Sequence, residues 1–238
     1  MKQILSKLRR ASQDYNMIED GDKICVGVSG GKDSMLLLKA LADYRRFSPE
    51  RFELYAVCID LGLGCDYARL REYCDSLNVE LSIKQTQIAQ IVFDVRKETN
   101  PCALCSKLKR GALHNEVLAL GAKKLALGHH ADDFMETFLL GLLYEGRIHT
   151  FMPVTYLDRK EITVIRPMLY MREKDVIYAA NRNNVPVVKS NCPADGHTKR
   201  EDMKEQIRKW EREIPSSSER LFTAVKEYVD KQMRINKK

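Results

Sequence analysis

The sequence predicts an α/β fold on a doubly wound, mainly parallel sheet, with helical extensions at its N- and C-terminal ends. Three observations predict it. Apolar, β-branched runs alternate with amphipathic runs, the order of strands and helices in a sheet covered on both faces. The first such run, Lys23-Ile-Cys-Val-Gly-Val28, meets the glycine pair Gly30-Gly31, and an apolar helical pattern follows at once. The segments from Gly27 to Lys32, at Asp60 and at Gly128-His-His-Ala-Asp-Asp133 all fall at carboxyl ends of predicted strands, where ligands of such sheets bind.

The elements follow in order. Residues 3–14 read as a basic amphipathic helix, with Ile4, Leu5 and Leu8 on one side and Lys7, Arg9 and Arg10 on another. A turn at Glu19-Asp-Gly-Asp22 leads into the opening strand. A helix over 34–46 is followed by a strand over Phe52–Ile59, a loop at Asp60–Gly64 and a helix over 66–77. Val79–Ile83 alternates as a third strand, and residues 86–96 fit neither period. Asn100 and Pro101 open a helix that runs to Leu120 and stops at Gly121. Lys123–Leu127 is a fourth strand and Asp132–Tyr144 a helix. Thr163–Ile165 is a short strand, 172–182 a helix, and Val185–Val188 an edge strand. From Thr198 on, two charged helices are split at Pro215-Ser-Ser-Ser218, and Trp210 on the first reads as a packing residue. The corresponding division is an N-terminal helix (1–20), a catalytic domain (21–195) and a C-terminal helical extension (196–238).

The length of 238 residues and a hydrophobic content of 44% suit a globular domain with a sizeable core. No apolar run approaches the ~20 residues of a membrane span, and the N-terminus lacks the apolar core of a signal peptide. A cytoplasmic protein without membrane contact is the expectation. The formal charge of +7 favours a polyanionic partner. Seven cysteines, an odd number, argue against a disulfide framework. Cys25 and Cys58 lie in strand patterns and read as small buried hydrophobes, and Cys65 and Cys74 as structural.

Two stretches carry chemistry. Ser29-Gly-Gly-Lys-Asp-Ser34 is a tight turn into a helix N-terminus, whose free N–H groups and positive dipole end favour phosphate. It is not a Walker A loop, because Asp33 follows Lys32 and the glycine spacing differs. Cys102 and Cys105, at i and i+3, project from one face of a helix start, where the dipole is expected to lower thiol pKa. With Cys192, which precedes a proline, they leave four readings open. These are a [4Fe–4S] cluster with one open iron, a Cys₃His zinc site completed by His197, a redox pair, and a purely structural trio. Lys107, Lys109 and Arg110, just beyond the pair, are candidates for contact with RNA phosphates or with the transferring phosphoryl group, against a plain solvated helix face.

Ser29–Ser34 resembles the pyrophosphate-binding loop of the PP-loop, or N-type, ATP pyrophosphatases. Over residues 2–200 the chain is similar to the tRNA 2-thiocytidine synthetase family of PP-loop thiolation enzymes. That likeness is carried by Asp14–Asp22, the Ser29–Ser34 loop, Cys102–Gly111, Gly128–Asp133 with Glu136-Thr137, Ile165–Lys174 and Cys192. The resemblance implies the adenine nucleotide α-hydrolase-like fold and a cytoplasmic, ATP-dependent tRNA sulfurtransferase that adenylates the C2 oxygen of cytidine 32 and replaces it with sulfur. It implies a [4Fe–4S] cluster on Cys102, Cys105 and Cys192. It implies ATP contacts at Ser29, Gly30, Gly31, Lys32, Asp33, Ser34, Asp60, Gly128 and His130. Catalytic work falls on Lys32, Asp33 and Asp133, with Asp33 and either Asp132 or Asp133 toward Mg²⁺. The implied partners are tRNA, a sulfur donor (a cysteine desulfurase or free sulfide) and a second copy in a homodimer. The chain is shorter than the better-known members and lacks the flanking CxxC zinc fingers of related thiouridine enzymes. A PP-loop ligase forming an amide or lysidine, thiolation of another base or small molecule, and a zinc-bearing RNA-binding module are the competing readings.

Overall fold

Strands buried on both faces must be apolar at every buried position, and the opening strand meets this demand at Ile24, Cys25 and Val26. In the computed structural model, which describes residues 1–96, 101–188, 191–192 and 199–235, it is β1 (Lys23–Gly27). Ile24 and Val26 enter one core with Leu54, Ala56 and Cys58 of β2 (Glu53–Asp60), while Cys25, Val57 and Ile59 enter a second core on the other face. The remaining strands are β3 (Glu80–Gln85), β4 (Lys124–Ala126), β5 (Val154–Leu157) and β6 (Ile162–Ile165). They form one sheet in the order β3-β2-β1-β4-β6-β5, parallel except where β5 meets β6. The chain builds outward from β1 through β2 to β3, then returns to the other side of β1 as β4. The reversal opens a crevice at the carboxyl ends of β1 and β4.

The first core is covered by α1 (Lys2–Asp14), α2 (Lys32–Arg45), α3 (Ala68–Ser76) and α6 (Glu173–Arg182). α2 is buried on nearly every side, from Met35 to Leu38 and at Ala40 and Leu41, because both α1 and α6 pack over it. α1 meets it through Ile4, Leu8 and Ala11, one helical face. α4 (Pro101–Ala119) covers the second core with Leu113 and Val117. α5 (Ala131–Tyr144) is overlaid by α7 (Lys199–Glu213) and α8 (Ser217–Ile235), with Trp210 packed around Met135, Leu139, Met203 and Ile207. Cys25, Cys58 and Cys74 are buried, and burial raises their thiols to about 12, about 11 and about 12.

Three expectations change. Residues 90–95 form a short π-helix (Gln90–Val95). β5 is an additional strand, a four-residue, half-exposed segment without a clear stripe, which becomes a strand only by pairing with β6 through a hairpin. Val185–Val188 is not an edge strand. Val185 N–H closes α6 on the Ala180 carbonyl (3.0 Å), Pro186 has no N–H, and Val188 N–H donates to the Gly30 carbonyl (2.9 Å). Asn100, the expected helix cap, and His197 lie outside the described residues.

One close approach holds the crevice together. A Cβ on Gly128, after β4, would stand 3.0 Å from the Asp33 carbonyl and 3.1 Å from the Ser34 nitrogen. Gly128→Ala is therefore expected to cost about 1–3 kcal/mol by overpacking, a fall of roughly 2–10 °C in Tm. Gly111→Ala, inside α4 with open space around it, is expected to be neutral or stabilising; thermal melts of both variants check the contrast.

Candidate active site

The loop from β1 to α2 is folded around one hydroxyl. Ser34 Oγ accepts the Ser29 N–H (3.1 Å), donates to the Gly31 carbonyl (3.0 Å) and stands 3.2 Å from Ser29 Oγ. Gly30 takes a left-handed backbone (φ +82°), and a Cβ there would meet Val188 at 2.9 Å. Gly31 caps α2 without a side-chain bond, so the first N–H groups of a 14-residue helix face the crevice. A cleft of about 250 Å³ opens here, floored by Ser29, Asp33, Ser34, Gly128 and Asp133. Val57, Ile59, Leu113 and Leu127 give it apolar walls suited to a planar ring, and His129 and Lys109 complete its rim.

Charges around the loop are tightly paired. Lys32 Nζ lies 3.1 Å from Asp33 and 3.5 Å from Glu173. Burial opposes its charge, but these two carboxylates more than reverse that and raise its pKa. Asp33 Oδ1 is buried and accepts no aligned hydrogen bond. His130, almost fully buried, stands between three carboxylates. Its Nε2 is 3.7 Å from Asp33, and its Nδ1 is 3.7 Å from Asp132 and 3.4 Å from Asp133. The two neighbouring aspartates differ in availability. Asp132 accepts a forked bond from Arg172 (3.0 and 3.2 Å to Oδ1) and the Glu173 N–H (2.6 Å), so it holds α6 in place. Asp133 accepts the His130 N–H (2.8 Å) and Arg200 (3.2 Å) and still lines the cleft.

The thiols converge on the same end of the sheet. Cys102 is exposed, and Cys105 and Cys192 are half-buried. The fields of both Cys192 and Cys102 reach Cys105. Cys192 is brought there by the Val188–Gly30 bond and by Asn191, whose side-chain amide reaches the Leu63 carbonyl (3.3 Å) in the loop after β2. One turn beyond Cys105, Lys109 enters the cleft, while Lys107 and Arg110 are exposed. The expected lowering of thiol pKa does not hold at Cys105. Burial raises it, and the neighbouring thiols add to that against the pull of Lys109. Among the described residues no three His, Cys, Asp or Glu side chains are grouped to hold a single metal ion.

A protein-family model described as a PP-loop domain matches residues 2–210. The tRNA-cytidine(32) 2-sulfurtransferase of Aliivibrio fischeri strain MJ11 is 38% identical over 231 residues, 96% of this chain and 75% of that protein. Its namesake from Pelobacter propionicus is 40% identical over 220 residues, 91% of this chain and 82% of its own. The chain belongs to this PP-loop family. Its fold is also that of the U34-tRNA thiolase NcsA from Methanococcus maripaludis, solved with its [4Fe-4S] cluster. That likeness has a TM-score of 0.75 at 20% identity and covers 94% of this chain and 78% of the other.

In this PP-loop protein, Ser29, Asp33, Ser34, Gly128, Asp133 and Lys109 share one cleft, with Gly30, Gly31, Lys32 and His130 in the layer around it. Asp60 is turned elsewhere, accepting the Gly62 N–H (2.9 Å) and the Tyr67 hydroxyl (3.2 Å). Sequence reasoning missed Glu173, Arg200 and Lys204, whose helical stretches look like ordinary mixed-charge surface; Lys109, read as a contact for RNA phosphates or for the transferring phosphoryl group, lines the cleft. His129, read as a structural strand-end residue, stacks on Phe151 (4.3 Å between rings) and is pushed down to about 3 by burial, Arg166 and Arg200.

Glu136 lies behind Asp133, and burial together with the Asp133 charge pushes it up to about 8 against the opposing pull of Arg200. The folded protein thus holds a proton there that the unfolded chain releases near pH 4.5, so this group's contribution to stability is lost as pH rises toward 8. Glu136→Gln should flatten that fall; chemical melts of both proteins between pH 5 and 8.5 measure the slope.

Proposed function

We propose that this protein, a sulfurtransferase by family, thiolates a cytidine of tRNA at C2 with ATP as the activating reagent. The observation that carries the reading is the shared position of the phosphate-binding loop and the three thiols. Both stand at the carboxyl ends of β1, β2 and β4, joined through Lys109, which lies one turn from Cys105 and lines the nucleotide cleft. The relatives' names supply the substrate class.

The phosphates of ATP lie on the N–H groups of Ser29–Ser34 with Lys32 as their point cation. The C2 oxygen of the cytidine attacks the α phosphorus and pyrophosphate leaves, which converts that oxygen into part of a good leaving group. A sulfide then attacks C2 with its electron pair, its proton is lost, and AMP departs with the oxygen, so no change of oxidation state is needed. Holding base and nucleotide in one cleft supplies the proximity the first step needs. Asp33 and Asp133 fit Mg²⁺, since one buried oxygen of Asp33 has no aligned donor and Asp133 borders the cleft. Asp132 does not fit, because Arg172 and α6 already occupy it.

Cys102, Cys105 and Cys192 supply three thiolates near enough for Cys102 and Cys192 to act on Cys105, a ligand set that suits an iron–sulfur cluster. When bound, a [4Fe–4S] cluster on these thiolates supplies a place to hold sulfur beside the activated carbon. NcsA, with the same fold, is an example of such a cluster in a tRNA thiolase.

Lys32→Ala is expected to lower ATP-dependent pyrophosphate release by about 10²-fold or more while iron content stays unchanged. Any of Cys102→Ala, Cys105→Ala or Cys192→Ala should lose iron and acid-labile sulfide in anaerobically purified protein yet keep ATP binding. Nucleoside mass spectrometry of tRNA from cells with and without the gene should show loss of 2-thiocytidine. Its persistence, or loss of a different thionucleoside, overturns the assignment of the base.

A further inference from the structure

Helix α7 lies outside the loop, the strands and the thiols, yet two of its cations reach the nucleotide site. Arg200 bonds Asp133 (3.2 Å), Thr137 (3.1 Å) and Glu136 (3.4 Å). Lys204, one turn on, lies 2.7 Å from Glu173 and 3.9 Å from Glu201. The oxygen that Lys204 touches, Glu173 Oε1, is the one that faces Lys32 at 3.5 Å. Two ammonium groups from distant parts of the chain therefore bracket one carboxylate oxygen and stand no more than about 6 Å apart. Arg208 adds a third cation, 3.7 Å from the other oxygen of Glu173.

This carboxylate is held firmly in place. Glu173 is the first residue of α6, its N–H is taken by Asp132, and Arg172 before it is forked onto the same aspartate. Its side chain is only 15% exposed. An anionic oxygen set between Lys32 and Lys204 occupies the kind of position that a phosphate oxygen takes. Lys32 cannot serve a phosphate fully while Glu173 holds it.

We propose that Lys204 is a phosphate-binding residue of the nucleotide site and that Glu173 is a built-in competitor, holding Lys32 and Lys204 until a pyrophosphate group takes its place. The inference rests on the reading of Ser29–Ser34 as the phosphate loop. It makes α7 part of the nucleotide site, so that nucleotide binding alters what this helix is fastened to. Trp210, the single tryptophan, lies on α7 and packs against α5, which provides a reporter.

The test is titration of the full chain with inorganic pyrophosphate, followed by calorimetry and by Trp210 fluorescence. Lys204→Met should weaken binding about tenfold and blunt the fluorescence change. Glu173→Gln should tighten binding severalfold, which a purely structural role for this ion pair would not produce. Lys209→Met, an exposed cation on the same helix, should leave affinity within a factor of two and controls for net charge. If Lys32→Met abolishes binding but Lys204→Met binds like the parent, or Glu173→Gln weakens binding, the inference is overturned and the phosphate loop stands. If the parent protein binds no pyrophosphate, or Lys32→Met binds unchanged, the phosphate-loop reading itself fails.

Discussion

β1 pairs in parallel with β2 on one side and β4 on the other, and the chemistry of this protein depends on that single reversal of strand order. Parallel neighbours point their carboxyl ends the same way, so the turns after β1, β2 and β4 meet. Ser29–Ser34 follows β1, the Asp60 loop follows β2 and Gly128–Asp133 follows β4. The approach is close enough that Gly128 lies against the backbone of Asp33 and Ser34 and leaves no room for a Cβ. Elsewhere the central strands β1, β2 and β4 are buried on both faces, and their interior positions carry packing rather than chemistry.

Around the crevice, charge is arranged so that few groups are idle. Asp132 and Asp133 are adjacent in sequence but have different work because they lie on different sides of the α5 start. One is consumed by Arg172 and the first turn of α6, and the other faces the cleft. Glu136 and His129 are kept in uncharged forms by burial, the first by holding its proton and the second by refusing one. The remaining carboxylates and cations form a chain of pairs from Lys32 through Glu173 to Lys204, which ties the loop to the C-terminal helices.

The thiol group shows how distant segments are brought to one place. Cys102 and Cys105 need only a helix start. Cys192 comes from the far side of the fold, guided by the Val188–Gly30 bond and by Asn191 on the loop after β2. The segment read as an edge strand, Val185–Val188, is this guide: one backbone bond to the phosphate loop replaces a ladder. The thiols and the nucleotide cleft are consequently linked by backbone as well as by Lys109.

Periodicity and motif made the parallel α/β fold, the phosphate loop and the CxxC pair legible, because each is a local pattern: a fully apolar strand, a glycine turn into a helix, two thiols three residues apart. β5 was not legible, since a half-exposed four-residue strand exists only through its partner β6. Nor was the division of labour between Asp132 and Asp133, the turning of Lys109 into the cleft or the engagement of Glu173 by Lys32 and Lys204. The amino-acid order alone determined where the glycine turn into a helix and the paired thiols stand along the chain. Tertiary structure decided which charges face one another, because Coulomb pairing and burial act through space, across 31 residues between Glu173 and Lys204 and 141 between Glu173 and Lys32.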